Sequence, residues 1–208
     1  MARRSDHSRE EIREMALAAA EEILATQGHQ ALSARKVAAA IGYTVGTLYL
    51  VFENLDDLLM QVNGRTLDRL YRLIVQDQAH CSDPHAGLLQ LGHSYIRFAD
   101  AEPHAWQMIF EHQLADDREP PEWLREKVAR MFALVEERLA QLAAHQPQRE
   151  IAQAARALWG GVHGICILAI NDTLGAAGVD SVQAITHSLM SNFLKGFVDT
   201  PPRSTKEA

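Results

Sequence analysis

The stretch Ser33-Ala34-Arg35-Lys36-Val37-Ala38-Ala39-Ala40-Ile41-Gly42-Tyr43-Thr44-Val45-Gly46-Thr47-Leu48-Tyr49-Leu50-Val51-Phe52 decides how the chain is read. Ser33 is a good N-cap, Val37, Ala38 and Ile41 give the helix behind it an apolar face, and Gly42 supplies a left-handed stop. Thr44 then caps a further helix running through Phe52. Two short helices joined by a glycine turn make a helix-turn-helix pattern, which needs small residues where the helices touch. Ala38, Gly42 and Gly46 meet that need, and Leu48 and Phe52 are large where the second helix must anchor. Gly46 inside a helix costs about 0.8 to 1.0 kcal/mol relative to alanine, which points to close backbone packing or close approach of DNA.

Outward from this core, Ser8 and Glu11 have capping-box spacing. Ile12, Met15, Ala16, Ala19, Ala20, Ile23 and Leu24 follow at helical period up to Gly28. Asn54, Asp56 and Asp57 open a fourth helix, their acids complementing the positive end of its dipole, with apolar positions from Leu55 to Ile74. Beyond residue 80, prolines punctuate. The pattern predicts helices over about 84–101, 103–114, 121–146, 149–173 and 180–198, with a glycine turn before the last and a stop at Pro201-Pro202. Alternating strand patterns and Asn-Gly hairpin signals are absent, so the expected fold is all-α, with about nine helices.

The net charge of −7 is unpromising for a nucleic-acid binder until it is divided along the chain. Residues 1–52 balance six basic against six acidic residues, leaving 14 of the 20 basic residues against 21 of the 27 acids beyond them. Arg35 and Lys36 are separated in sequence from the acids of the first helix, so a local basic face is possible. The two cysteines, Cys81 and Cys166, suggest no disulfide framework and fit a reducing compartment. The N-terminus is charged, and no window of 18 uninterrupted apolar residues occurs, so a cytoplasmic protein without membrane association is expected.

Residues 9–60 resemble the DNA-binding domain of the TetR family of repressors. The resemblance rests on Gly42, the run Gly46-Thr47-Leu48-Tyr49 with Phe52, Asp56-Asp57-Leu58-Leu59 at the start of the connecting helix, and Val37-Ala38 before the turn. Two departures stand out. Leu55 occupies a position where the family commonly has a phosphate-binding lysine, and Leu50 and Val51 stand where polar groups are frequent. Further on, Ala157-Leu158-Trp159-Gly160-Gly161-Val162-His163-Gly164 resembles the signature of a WHG-type C-terminal domain.

The resemblance implies a helix-turn-helix domain at 1–54, a connecting helix at 55–79 and an effector-binding and dimerisation domain at 80–200. It implies a homodimer on palindromic double-stranded DNA, acting as a repressor released by a small, largely apolar effector. Ser33, Arg35, Lys36, Thr44, Val45, Thr47, Tyr49 and Leu50 are the expected DNA contacts. Hydroxyls of Thr47 and Tyr49 suit phosphates, and Val45 suits a thymine methyl. Tyr95, Phe98, Trp106, Phe110, Trp123, Met131, Trp159 and His163 are expected to line the effector pocket, although aromatics at these spacings also build an ordinary core. Val182, Ile185, Leu189, Phe193 and Phe197 form a stripe on the last helix, expected at the dimer interface. His163 and Cys166 have a workable metal-ligand spacing but no second pair of ligands beside them, so packing is expected instead of a metal. No Gly-x-Ser-x-Gly elbow, phosphate-cradling glycine loop or His-Glu-x-x-His helix is present, and neither enzymatic activity nor a cofactor is expected. An architectural DNA-binding or protein-interaction factor without a ligand is the alternative.

Overall fold

Ser8 and Glu11 close the capping box reciprocally: the Glu11 amide donates to Ser8 Oγ at 3.2 Å and the Ser8 amide to Glu11 Oε2 at 2.6 Å. This starts α1 (Arg9–Gln27). The computed structural model describes residues 7–112, 114, 119–175, 178 and 181–201. Among them it is all-α, with nine α-helices and one 3-10 turn, His29–Ala31. After α1 come α2 (Ala34–Ala40), α3 (Val45–Leu48), α4 (Leu55–Gln78), α5 (Pro84–Ala101), α6 (Pro103–Glu111), α7 (Glu122–Leu142), α8 (Gln148–Ile170) and α9 (Val182–Asp199).

The expected continuation of α3 to Phe52 does not occur. The hydrogen bonds tighten to three-residue spacing, Leu50 N–H to Thr47 O at 3.2 Å and Val51 N–H to Leu48 O at 3.0 Å. This bend puts Val51 and Phe52 into the core, where they are 7% and 3% exposed. Burial of two large apolar groups, about 1.5 to 3 kcal/mol each, outweighs another turn of helix.

The chain forms two compact units, Met1–Asp68 with Glu102–Leu124, and Arg69–Ala101 with Arg125–Ala208. In the first, Ala16, Leu17, Ala20 and Leu24 of α1 pack against Val37 and Ala38 of α2, Leu48, Leu58 and Val62. Ala105 and Met108 of α6 join the same core. Asn63 Nδ2 donates to the Met108 carbonyl at 3.3 Å, and His104 Nδ1 donates to that of Ala25 at 3.1 Å. Arg65 of α4 clamps α1 by bonds to Glu14 at 2.6 Å and Glu21 at 3.4 Å.

In the second unit α9 lies against α5 and α8. Its contact is set by two missing side chains. A Cβ on Gly92 would stand 2.3 Å from Met190 Sδ, and one on Gly161 would stand 2.7 Å from Leu189 Cδ2. Met190 and Leu189 therefore sit in glycine notches, and α9 is keyed in register to both neighbours. Asp77 binds α4 to α5, accepting from Ser94 Oγ and Arg97 through its carboxylate and from Gln90 Nε2 through its carbonyl at 2.7 Å. Helix α8 is long and apolar enough to cross a membrane, yet its Ile151, Ala154, Leu158, Val162 and Ile165 are buried within this unit.

Candidate nucleic-acid interface and ligand cavity

Both short helices begin with side-chain caps. Ser33 Oγ accepts from Lys36 N at 3.3 Å, and Thr44 Oγ1 accepts from Thr47 N at 3.3 Å while lying 3.0 Å from Thr47 Oγ1. Gly42, at φ 75°, turns the chain between them in a conformation that a residue with a Cβ rarely adopts. On this helix-turn-helix Arg35, Lys36, Thr44, Tyr49 and Leu50 are exposed, the last two 48% and 62%. Val45 and Thr47 are half-buried beside them. Lys36 Nζ donates to Gln27 Oε1 at 3.1 Å, and exposed Arg35 makes no hydrogen bond or ion pair among the described residues. Ser33 is committed to its cap, leaving its hydroxyl proton as its remaining donor.

Sequence reasoning counted Arg13 only as a charge. Its guanidinium donates to the Val51 carbonyl at 2.6 Å and to Gln61 Oε1 at 2.9 Å, and lies 5.2 Å from the centre of the Phe52 ring. It thus ties α1 and α4 to the bend that follows α3. Nothing in the local sequence marks a contact 38 residues away, so this role is visible only in three dimensions. Val51, read as a position where a polar group for DNA is missing, is a core residue facing inward.

The second unit contains a cavity of about 40 Å³ with an almost wholly apolar wall that includes Leu88, Gly92, Tyr95, Val135, Trp159 and Met190. The polar tips beside it are spent on each other. Trp159 Nε1 donates to Tyr95 Oη at 3.3 Å, and Tyr95 Oη lies 3.0 Å from His163 Nδ1. Indole only donates, so Tyr95 accepts there and is free to donate to the imidazole. Trp159 stacks on His163 with ring centres 5.0 Å apart. Burial lowers the His163 pKa below the usual imidazole value of 6.5, so the ring is neutral at pH 7. Arg156 lies 4.7 Å from the centre of the Phe132 ring and donates to Glu136 at 2.7 Å.

Of the residues expected to surround an effector, the structure brings Tyr95, Trp159 and His163 together. Phe98 is buried in the same unit and Met131 is half-buried in it, but neither lines the cavity. Trp106, Phe110 and Trp123 belong to the first unit. Trp106 is buried edge-on to Phe110, with ring centres 5.2 Å apart. Trp123, 37% exposed, borders an open groove of about 270 Å³ with Glu53, Asp56, Asp57, Met60 and Glu119. Two carboxylates of that groove are already engaged, Asp56 with His112 Nε2 at 3.1 Å and Asp57 with Gln61 Nε2 at 2.8 Å.

Cys166 is buried, and desolvation pushes its thiol up to about 12, which removes thiolate character at neutral pH. No group of three His, Cys, Asp or Glu is placed to hold a metal among the described residues. A pair that the sequence did not suggest is His93 and His187, on α5 and α9, with ring centres 6.4 Å apart. On α9, Val182, Ile185, Leu189, Phe193 and Phe197 are all half-buried, while Thr186, Met190 and Leu194 are the fully buried stripe.

A family profile described as bacterial regulatory proteins of the tetR family matches residues 16–62, and one described as the tetracyclin repressor-like C-terminal domain matches residues 88–193. The chain belongs to the TetR family. Its helix-turn-helix makes it a DNA-binding transcriptional regulator by family, and its fold is shared with many solved structures. A protein of unknown function from Rhodococcus sp. RHA1 aligns with a TM-score of 0.74 at 20% identity, over 94% of this chain and 98% of that one. A TetR-family transcriptional regulator from Bordetella parapertussis 12822 aligns at 0.58 and 20% identity, over 92% and 98% of the two chains. The multidrug binding protein EbrR, solved with imidazole, aligns at 0.63 and 22% identity, over 97% and 100%. No curated protein matches in sequence.

Proposed function

We propose that this TetR-family chain is a cytoplasmic, ligand-responsive repressor that binds a palindromic operator as a homodimer and leaves it when a small molecule binds. It has no catalytic role in this reading. The observation that carries it is the capped α2–turn–α3 segment on which Arg35, Lys36, Thr44, Tyr49 and Leu50 are all exposed. Such a segment offers charge and hydroxyls to phosphates, and its exposed apolar groups to base edges. Ser33, Val45 and Thr47 border it and complete the proposed contact surface. Residues 1–54 act as the DNA-reading part, 55–79 as the connection and 80–200 as the effector-binding and dimerising part. The neighbour described as a multidrug binding protein is consistent with a small-molecule effector here.

Dimerisation is supported by the outward side of α8 and α9. Gly160 and Gly164 have open space where a Cβ would be, and Leu168 is 46% exposed on the same side of α8. A smooth glycine strip ending in a leucine suits close approach of a second copy. The half-buried Phe193 and Phe197, stacked with centres 6.2 Å apart, extend the apolar surface on α9.

A salt series on operator DNA tests the contact surface. Lys36→Ala should lower the slope of log affinity against log salt by about 0.9 for each phosphate that Lys36 neutralises in one subunit, doubled in a dimer. Tyr49→Phe should weaken binding by about 1 to 3 kcal/mol with the slope unchanged, because it removes a hydrogen bond and no charge. A wild-type slope in Lys36→Ala with wild-type affinity in Tyr49→Phe would put a different face on the DNA.

A further inference from the structure

Helix α1 is fastened to both ends of the α3 turn. At the start, His7 Nδ1 lies 2.8 Å from the Oη of Tyr43, the residue before the Thr44 cap, and the two rings meet edge-on with centres 6.1 Å apart. At the far end, Arg13 donates to the Val51 carbonyl at 2.6 Å. Arg9, the first residue of α1, stands between these two anchors. It precedes Arg13 by four residues and so shares its side of the helix, one turn closer to the His7 contact. Arg9 is exposed and makes no hydrogen bond or ion pair among the described residues. A cation in the first turn opposes the positive end of the helix dipole, so Arg9 does not serve the helix. The acids around it are drawn elsewhere. Glu11 is folded onto the cap, where its Oε2 accepts from the Ser8 amide at 2.6 Å. Glu10 shares the side of Glu14, which Arg65 of α4 holds at 2.6 Å.

We propose that Arg9 is a DNA contact outside the helix-turn-helix: it meets a phosphate of the strand bordering the groove that α3 enters, and the His7–Tyr43 contact positions it there. This rests on the DNA-binding reading above and adds a residue to its contact surface. The N-terminal end of a recognition helix is the part that reaches base edges, and the element before it lies across the backbone. Tyr43 stands immediately before that end, so the first turn of α1 is held beside the phosphates that flank it. A guanidinium suits them, because its fork of donors matches phosphate oxygens. Such a contact carries no sequence information; it adds affinity on every sequence and helps to fix the register of α3. His7 and Tyr43 act through Arg9 as positioning residues.

Fluorescence anisotropy with the full chain tests this on two duplexes, one recovered by the wild type from a random pool and one of unrelated sequence. Arg9→Gln should weaken binding to both by the same factor and lower the salt slope by about 0.9 per subunit, so that in a dimer its deficit shrinks about twelvefold between roughly 50 and 200 mM salt. Arg9→Lys should keep the wild-type slope. Arg149→Gln removes the same charge from an exposed position on α8 and should leave the slope unchanged, which separates a contact from net charge. Tyr43→Phe should weaken binding about threefold in the wild-type background and not in Arg9→Gln, the coupling expected of a residue that acts through another. All variants should melt at the wild-type temperature or above it when Arg9 is the residue replaced, since its cation opposes the helix dipole. The assignment falls if Arg9→Gln keeps the wild-type slope, if Arg149→Gln lowers it equally, or if Tyr43→Phe has the same effect in both backgrounds. Lys36→Ala separates the two readings. If it lowers the slope and Arg9→Gln does not, the α2–turn–α3 surface stands and the Arg9 assignment fails. If Arg9→Gln lowers the slope and Lys36→Ala does not, Arg9 stands and that surface fails.

Discussion

Replacing Arg13 by methionine should loosen the reading head without touching DNA. The wild-type guanidinium makes two hydrogen bonds, to the Val51 carbonyl at 2.6 Å and Gln61 at 2.9 Å, and covers the Phe52 ring. Hydrogen bonds involving a charged partner contribute about 1.5 to 3 kcal/mol, and a partly exposed cation–π contact about 0.5 to 1 kcal/mol. Because Arg13 is only half-buried, the lower ends apply and the bonds are not additive. The expected loss is about 2 to 3 kcal/mol, or roughly 4 to 12 °C for a chain of this size. Methionine keeps an apolar stem over Phe52, so the loss measures the polar fork instead of a hole. Differential scanning calorimetry gives the stability, and fluorescence anisotropy on operator DNA across a salt series gives the affinity. Affinity should fall because Tyr49 and Leu50 lie in the turn that Arg13 restrains. The salt slope should stay at its wild-type value, since the number of neutralised phosphates does not change. Arg13→Lys, with charge but no fork, should fall between the two. Melting within 1 °C of wild type would refute the clamp, and a slope reduced by about 0.9 per subunit would mean that Arg13 meets a phosphate directly.

Three other outcomes are expected. Leu168→Asp, on an exposed position, should leave the fold intact but give monomers in sedimentation velocity; an undisturbed dimer would remove α8 from the interface. Gly161→Ala should destabilise the chain by about 1 to 3 kcal/mol through its clash with Leu189, and Leu189→Ala should cost less in that background than in wild type; additive losses in urea unfolding would argue against the notch. Burial and the neighbouring His187 lower the His93 pKa from its ordinary 6.5. Its unfolded form therefore takes a proton before the folded one, so stability is full above pH 6.5 and declines as pH falls toward the depressed folded-state value. His93→Gln should flatten that acid decline, and an unchanged stability-against-pH curve would exclude the residue from it.

What was legible in the sequence was what is decided locally. Ser8 with Glu11, Ser33 and Thr44 cap helix starts through bonds spanning three residues, Gly42 turns the chain after α2, and α1, α2 and α3 begin directly after their caps. The end of α3 was not legible, because Val51 and Phe52 turn inward to reach a core assembled from distant segments. Nor was the place of α6, whose ties run from His104 to Ala25 and from Asn63 to Met108. Aromatic residues mark a hydrophobic interior without an address. Tyr95 and Trp159 meet around a cavity, Trp106 and Phe110 pack on each other in another unit, and no feature of their spacing distinguishes the two fates.

Gly161 illustrates the remaining gap. Its place in a recognisable run was visible, but its role exists only opposite Leu189. The same run explains how a ligand could be felt at a distance. On α8, Leu158, Trp159 and Val162 face the cavity, and Gly160, Gly164 and Leu168 lie on the other side of the same helix. On α9, Met190 faces inward, while Ala184, Ser188 and Lys195 are exposed. Close-packed helices cannot take up new volume on one side by compression, so they must shift or rotate. If a small molecule enlarged this cavity, the surface proposed to meet the second subunit would move with it. The glycine notches would make such a movement discrete, because a side chain keyed into a notch is either seated or displaced.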